Sequence, residues 1–96
     1  MSTPMGTLHG IGVGPGDPDL LTLKACKILG RVDIVFAAAS SRNPHSLALE
    51  IARPHIPAAT PVEMLPFPMT RDRRETVRAW EANAARIVAE LSAGRD

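Results

Sequence analysis

The sequence predicts an α/β fold: a three-layer parallel sheet in the order β-α-β-α-β-α, within one domain spanning residues 1–96. Three observations carry that prediction. An apolar stretch, Thr7–Val13, breaks into the bend Gly14-Pro15-Gly16, and Leu21, Ala25, Ile28 and Val32 then recur at helical spacing. A continuous apolar run, Asp33–Ala39, has polar neighbours on both sides, the pattern of a strand covered on both faces. A last segment sets Val77, Trp80, Ala84, Ile87, Val88 and Leu91 at threes and fours, the periodicity of an amphipathic helix. Strands separated by helices imply right-handed crossovers and a parallel sheet.

In chain order, Met1–Gly6 reads as a frayed lead-in and Thr7–Val13 as a first strand whose glycines lower its β-propensity and must be offset by burial. His9 reads as a strand side chain. Asp17 before Pro18 has the chemistry of a helix cap followed by proline at the first helical position, and Thr22 offers a second cap four to five residues on. Gly30 is the stop. After the Asp33–Ala39 strand, Ser40–Asn43 forms a loop, and Asn43-Pro44 opens a second helix that buries Leu47, Ala48 and Ile51 until Pro54 ends it. Pro54–Pro61 is connection, Val62–Leu65 a brief third strand, and Pro66–Thr70 a stiff apolar loop. Thr70 caps the last helix, with Met69 closing over its first turn. Gly94–Asp96 stands where a turn into a fourth strand is expected, so the three-stranded sheet has an uncovered edge.

Composition excludes several functions. The net charge of +1 and only three aromatic residues, Phe36, Phe67 and Trp80, argue against a nucleic-acid partner. No apolar run approaches the roughly 20 residues that span a bilayer, and no basic start followed by an apolar stretch marks a secretory signal. The single cysteine, Cys26, forms no internal disulfide, which fits a cytoplasmic location. Cys26 beside Lys24 lacks the His or acid that would make it a nucleophile. His45 and His55 are too far apart to share a helical face, no cysteine or carboxylate completes a metal set, and both read as surface residues.

The bend is the place to expect a small molecule. Gly10, Gly12, Gly14 and Gly16 alternate with other residues, so little side-chain bulk keeps a ligand from the main chain. A dinucleotide fingerprint begun at Gly10 needs glycine where Pro15 stands, and one begun at Gly12 needs it at Asp17. A phosphate-cradling loop needs Gly-Lys-Ser/Thr, and the first lysine, Lys24, lies inside the helix. Both readings fail, which leaves a ligand held by shape and backbone hydrogen bonds. Loops at the carboxyl ends of strands are where open α/β sheets place ligands. Ser40, Ser41 and Arg42 are cleft candidates there against an ordinary solvated loop. Phe67 and Met69 suit a flat apolar ligand or, equally, a plug between loop and helix. Arg71, Arg73, Arg74 and Arg78 crowd a helix start against the macrodipole, offset by Asp72 and Glu75, and read as a functional cluster or as a solvated helix start.

The residues Gly12-Val13-Gly14-Pro15-Gly16-Asp17-Pro18-Asp19-Leu20-Leu21-Thr22-Leu23-Lys24-Ala25 resemble the opening signature of the tetrapyrrole (corrin/porphyrin) methylases. Ser46–Ala52, Leu65–Thr70 and Trp80 resemble the branch that methylates carbon 20 of precorrin-2 or cobalt-precorrin-2 in cobalamin synthesis. Enzymes that methylate uroporphyrinogen carry an acid where this chain has Ala38, a departure that favours the precorrin-2 branch. The resemblance implies S-adenosylmethionine as methyl donor, leaving as S-adenosylhomocysteine, with Gly14, Pro15 and Gly16 lining its site. It implies a tetrapyrrole substrate near Ser40, Phe67, Met69 and Arg71, and a homodimer for the full-length enzyme. It points to no catalytic residue and no metal. Family members are more than twice as long, so the chain resembles their amino-terminal part, without the second domain and without the second glycine-aspartate-proline loop that supplies much of the cofactor pocket. The competing reading is a non-catalytic α/β binding or assembly module.

Overall fold

The computed structural model describes residues 4–40, 46–68 and 71–96, with Ser40 described by its backbone. Both caps offered by the sequence are used, in succession. The Asp17 side chain accepts from Asp19 N–H at 2.9 Å and starts a single 3-10 turn, Pro18–Leu20. Thr22 then accepts from Ala25 N–H at 3.1 Å and starts α1, Leu23–Leu29, which stops at Gly30. Leu21, Ala25 and Ile28 are buried, as their spacing predicts, together with Leu29.

Strand β1, Val35–Ser40, pairs in parallel with β2, Val62–Phe67, in a register running from Val35 opposite Val62 to Ser40 opposite Phe67. β2 is two residues longer than the sequence suggests because Pro66 fits it. Val35 N–H donates to Pro61 O at 3.0 Å, so odd-numbered residues of β2 bond toward β1. Pro66 therefore turns its missing donor to the outer edge, where a proline costs the ladder nothing.

Between the strands, Ser46 rather than Asn43 supplies the cap of α2, Leu47–Ala52, accepting from Leu49 N–H at 3.1 Å; Asn43 and Pro44 lie outside the described residues. The buried face is accordingly Leu49, Ile51 and Ala52, while Leu47 is 70 % exposed and Ala48 is exposed. Pro54 ends the helix in the 3-10 turn Arg53–His55. His55, expected on the surface, is half-buried, and its Nε2–H donates to Pro18 O at 2.8 Å, tying this turn to the one after Asp17.

Helix α3, Arg73–Ser92, is capped by Asp72, whose side chain accepts from Arg74 N–H at 2.9 Å. Thr70 and Met69, expected as cap and staple, lie outside the described residues. The helix presents a different face from the one its apolar spacing predicts. Asn83 is buried and Ile87 and Leu91 are half-buried, whereas Val77, Trp80, Ala84 and Val88 are exposed. Polar groups of β2 decide the rotation: Asn83 Nδ2 donates to Pro66 O at 2.9 Å, and Arg86 reaches Glu63 at 2.8 Å.

The two faces of the sheet are covered by different helices. Val35 packs on the cluster Leu21, Ala25, Leu29, Ile51 and Ala52 from α1 and α2. Phe36, pointing the other way, lies under the Arg86 guanidinium of α3, 5.4 Å from the ring centroid.

Arg86 also bonds Glu90 at 2.7 Å, and Arg95 bonds the second oxygen of that carboxylate at 3.1 Å. The hydrogen bond from Arg86, the largest contribution, holds Glu90 below the usual carboxylate range. A depressed folded-state value means the ionised Glu90 stabilises the fold above its unfolded value and that this is lost as pH falls through the folded one. Melting curves of Glu90→Gln should therefore lie below those of the parent at neutral pH and converge with them well below pH 4.5, the ordinary value, and added salt should narrow the gap.

The expected first strand does not form. Thr7–Val13 has no regular secondary structure, and the sheet among the described residues has two strands. Asp96 accounts for this. Its backbone is hydrogen-bonded to Asp33 and Ile34 at the start of β1, while its side chain accepts from Thr7 N–H at 2.7 Å. The leading segment is thus held off the edge of β1, with Ile11 and Val13 packed against the core instead.

Candidate functional site

The bend Gly14-Pro15-Gly16 follows a segment anchored at one end by the Thr7–Asp96 contact and along its length by Ile11 and Val13 in the core. All three bend residues are exposed, and the Gly14–Pro15 peptide is cis. A Cβ built at Gly10, Gly12 or Gly14 would meet no heavy atom within 4 Å, so the main chain there is open to a ligand. Gly16 differs: its φ of 127° lies where side chains are strained, and a Cβ built there would stand 4.0 Å from Ile51 Cδ1. Glycine at 16 is required by the backbone, glycine at 14 only by whatever approaches it.

The substrate candidates are partly brought together. Ser40 and Phe67 are the last paired residues of the two strands, side by side at the carboxyl edge of the sheet. Phe67 is 37 % exposed, enough of a ring for a flat ligand to lie against. Arg71 is exposed just before α3, and Met69 lies outside the described residues, as do Ser41 and Arg42. Asn83 is the residue sequence reasoning missed. Its bond to Pro66 O fixes the end of β2 that carries Phe67, and its only signal in the sequence is a polar residue amid the apolar spacing of α3. Removing the donor leaves a carbonyl short of its partner, so Asn83→Ala should cost about 1–3 kcal/mol in urea unfolding.

A cleft of about 420 Å³, mostly apolar, lies between the leading segment and the open edge of β1, among Leu8, Ile11, Phe36, Ala38, Leu49 and Leu91. Of the candidates whose side chains are described, Phe67 lines it and Gly14, Pro15, Gly16 and Arg71 do not, so the cleft and the bend are separate features. No group of three or more His, Cys, Asp or Glu among the described residues is placed to hold a metal ion, and no described helix is long and apolar enough to cross a membrane.

Residues 7–96 match the profile of the Tetrapyrrole (Corrin/Porphyrin) Methylases. The chain belongs to that family. A cobalt-precorrin-2 C(20)-methyltransferase of Salmonella typhimurium is 41% identical over 90 residues, covering 94% of this chain and 38% of the relative. A probable cobalt-precorrin-2 C(20)-methyltransferase of Methanocaldococcus jannaschii is 36% identical over 83 residues, covering 86% and 36%. A precorrin-2 C(20)-methyltransferase of a Sinorhizobium species is 35% identical over 103 residues, covering 95% and 40%. This tetrapyrrole methylase chain therefore spans well under half the length of the relatives it matches. The α/β architecture, with a parallel sheet between helices, agrees with the fold expected of the family's amino-terminal domain.

Proposed function

We propose that this chain is the amino-terminal part of an S-adenosylmethionine-dependent methyltransferase acting on C(20) of precorrin-2 or cobalt-precorrin-2 in cobalamin biosynthesis. The observation that carries the reading is near-complete coverage of the chain by relatives bearing that activity in their names, joined to a bend whose main chain is bare at Gly14. The full-length enzyme is read as a cytoplasmic homodimer.

The bound cofactor supplies a methyl group on a sulfonium, already electrophilic and with a leaving thioether that needs no proton. The chain's own task is alignment, which by itself lowers a barrier substantially. Gly14, Pro15 and Gly16 hold the cofactor by shape and main-chain contact. Phe67 offers its ring to the macrocycle, Ser40 lies beside it, and Arg71 meets a peripheral carboxylate with its guanidinium. Met69 completes the apolar contact. The departing thioether needs no acid, and the proton that methylation of a ring carbon releases is assigned to none of these residues and leaves to solvent. Gly14, Pro15, Gly16, Phe67 and Arg71 are exposed, which leaves room for a second domain to close the site.

Calorimetry with S-adenosylhomocysteine tests the reading. Binding is expected for the protein at the length of its relatives and not for residues 1–96 alone. Absence of binding by the longer protein overturns the reading in favour of a non-catalytic assembly module.

A further inference from the structure

We infer that Asn83 is a positioning residue for the tetrapyrrole: through the Pro66 carbonyl it aims the ring of Phe67, and so sets affinity for the macrocycle while leaving the cofactor bend alone. The inference rests on the proposed methyl transfer and adds to it a residue that touches neither ligand.

Asn83 is the one polar side chain buried among the described residues, at 6 % exposure in the middle of α3. Burying an amide disfavours folding unless its groups are bonded. The bond it makes is from Nδ2 to Pro66 O at 2.9 Å.

The acceptor gives that bond its consequence. Pro66 turns its carbonyl to the outer side of β2, where no further strand lies among the described residues, so the ladder does not hold it. The carbonyl of Pro66 and the nitrogen of Phe67 nevertheless belong to one planar peptide unit. Clamping the oxygen fixes the plane from which Phe67 departs. Phe67 is the last paired residue of β2, and at 37 % exposure its ring is not locked by packing on every side. Its direction therefore depends on the backbone that carries it, at a strand end where backbone frays most easily.

The donor stands on a firm base. One turn on from Asn83, Arg86 bonds Glu63 at 2.8 Å and lies over the Phe36 ring. Asn83 and Arg86 thus meet Pro66 and Glu63 from one face of α3 and fix the helix to the strand at two points. The cofactor bend is placed by other contacts, since Ile11 and Val13 ahead of it pack on the α1 and α2 cluster. A change at Asn83 reaches one ligand's site and spares the other's.

Steady-state kinetics of the protein at the length of its relatives test the inference, with precorrin-2 and cobalt-precorrin-2 as substrates. Asn83→Leu keeps the volume and removes the donor. It should raise the KM for the tetrapyrrole about tenfold with kcat within about twofold of the parent, the pattern of lost uniform binding, while calorimetry shows binding of S-adenosylhomocysteine unchanged. In a Phe67→Ala background the same substitution should move that KM by less than about twofold, because the ring it aims is gone. A general loosening of the fold would instead weaken both ligands and add to the loss caused by Phe67→Ala. Either of those results overturns the inference, as does an unchanged KM. Should Asn83→Leu not fold, Asn83→Ala is read by the same criteria, and failure of both to fold overturns the inference by making Asn83 a structural residue alone. A parent protein that transfers no methyl group to either substrate overturns the proposed activity, and this inference with it, before any variant is made.

Discussion

Leu29→Ala should lower the unfolding free energy by about 2–5 kcal/mol, the cost of emptying a buried leucine site that cannot fully collapse. Leu29 is 4 % exposed and packs among Leu21, Ala25, Ile51 and Ala52, the cluster that joins α1 and α2 to Val35 of the sheet. Small domains hold only about 5–15 kcal/mol in all, and no side chain among the described residues is completely buried, so the loss is a large share of the total. The variant should show a sharply lower urea midpoint and, at the upper end of that range, populate unfolded chain at 37 °C. Leu23→Ala is the control. Leu23 lies on the same helix at 79 % exposure, and its truncation should stay within about 0.5 kcal/mol of the parent. Equal midpoints for the two variants would mean that the described core does not hold the fold together.

Gly14→Leu should weaken cofactor binding about a hundredfold without unfolding the protein. A Cβ at position 14 meets nothing within 4 Å, and the residue is not at positive φ, so a side chain there projects into open space at little cost to folding. That space is where the proposed cofactor would lie. In the protein at the length of its relatives, affinity for S-adenosylhomocysteine should fall about a hundredfold, equivalent to about 2.7 kcal/mol. Gly16→Leu separates the two effects. At φ 127° a side chain is strained whatever the space around it, so this variant should lose about 1–2 kcal/mol of stability before any ligand is added. Retention of full affinity by Gly14→Leu, with melting unchanged, would remove the bend from the cofactor site.

Elements with one strong local signal were legible in the sequence. Asp17 and Thr22 announce two caps in the same few residues, and the chain uses both because a short 3-10 turn ends before α1 begins. The run Asp33–Ala39 becomes a strand because its apolar residues are covered on both faces, by α1 and α2 on one and α3 on the other. The family signature at the bend is local as well and needs no contact to be recognised. Elements whose outcome depends on a distant partner were not legible. Spacing alone puts Trp80 and Val88 in the core of α3, yet Pro66 O and Glu63 claim Asn83 and Arg86, and the helix turns accordingly. His55 reads as a surface residue until the Pro18 carbonyl, 37 positions away, accepts a hydrogen bond from its ring. The candidate site divides the same way: the bend and its open glycines follow from residue type, while the pairing of Ser40 with Phe67 follows from register.

By itself the sequence determined the alternation of helix and strand from Pro18 onward, the caps at Asp17 and Thr22 and the family to which the chain belongs, since each is set by residues close together in the chain. Tertiary structure alone decided which face of α3 is buried and whether Thr7–Val13 joins the sheet. A strand exists only where a neighbour supplies the other half of its hydrogen bonds, and among the described residues Thr7–Val13 has no such neighbour.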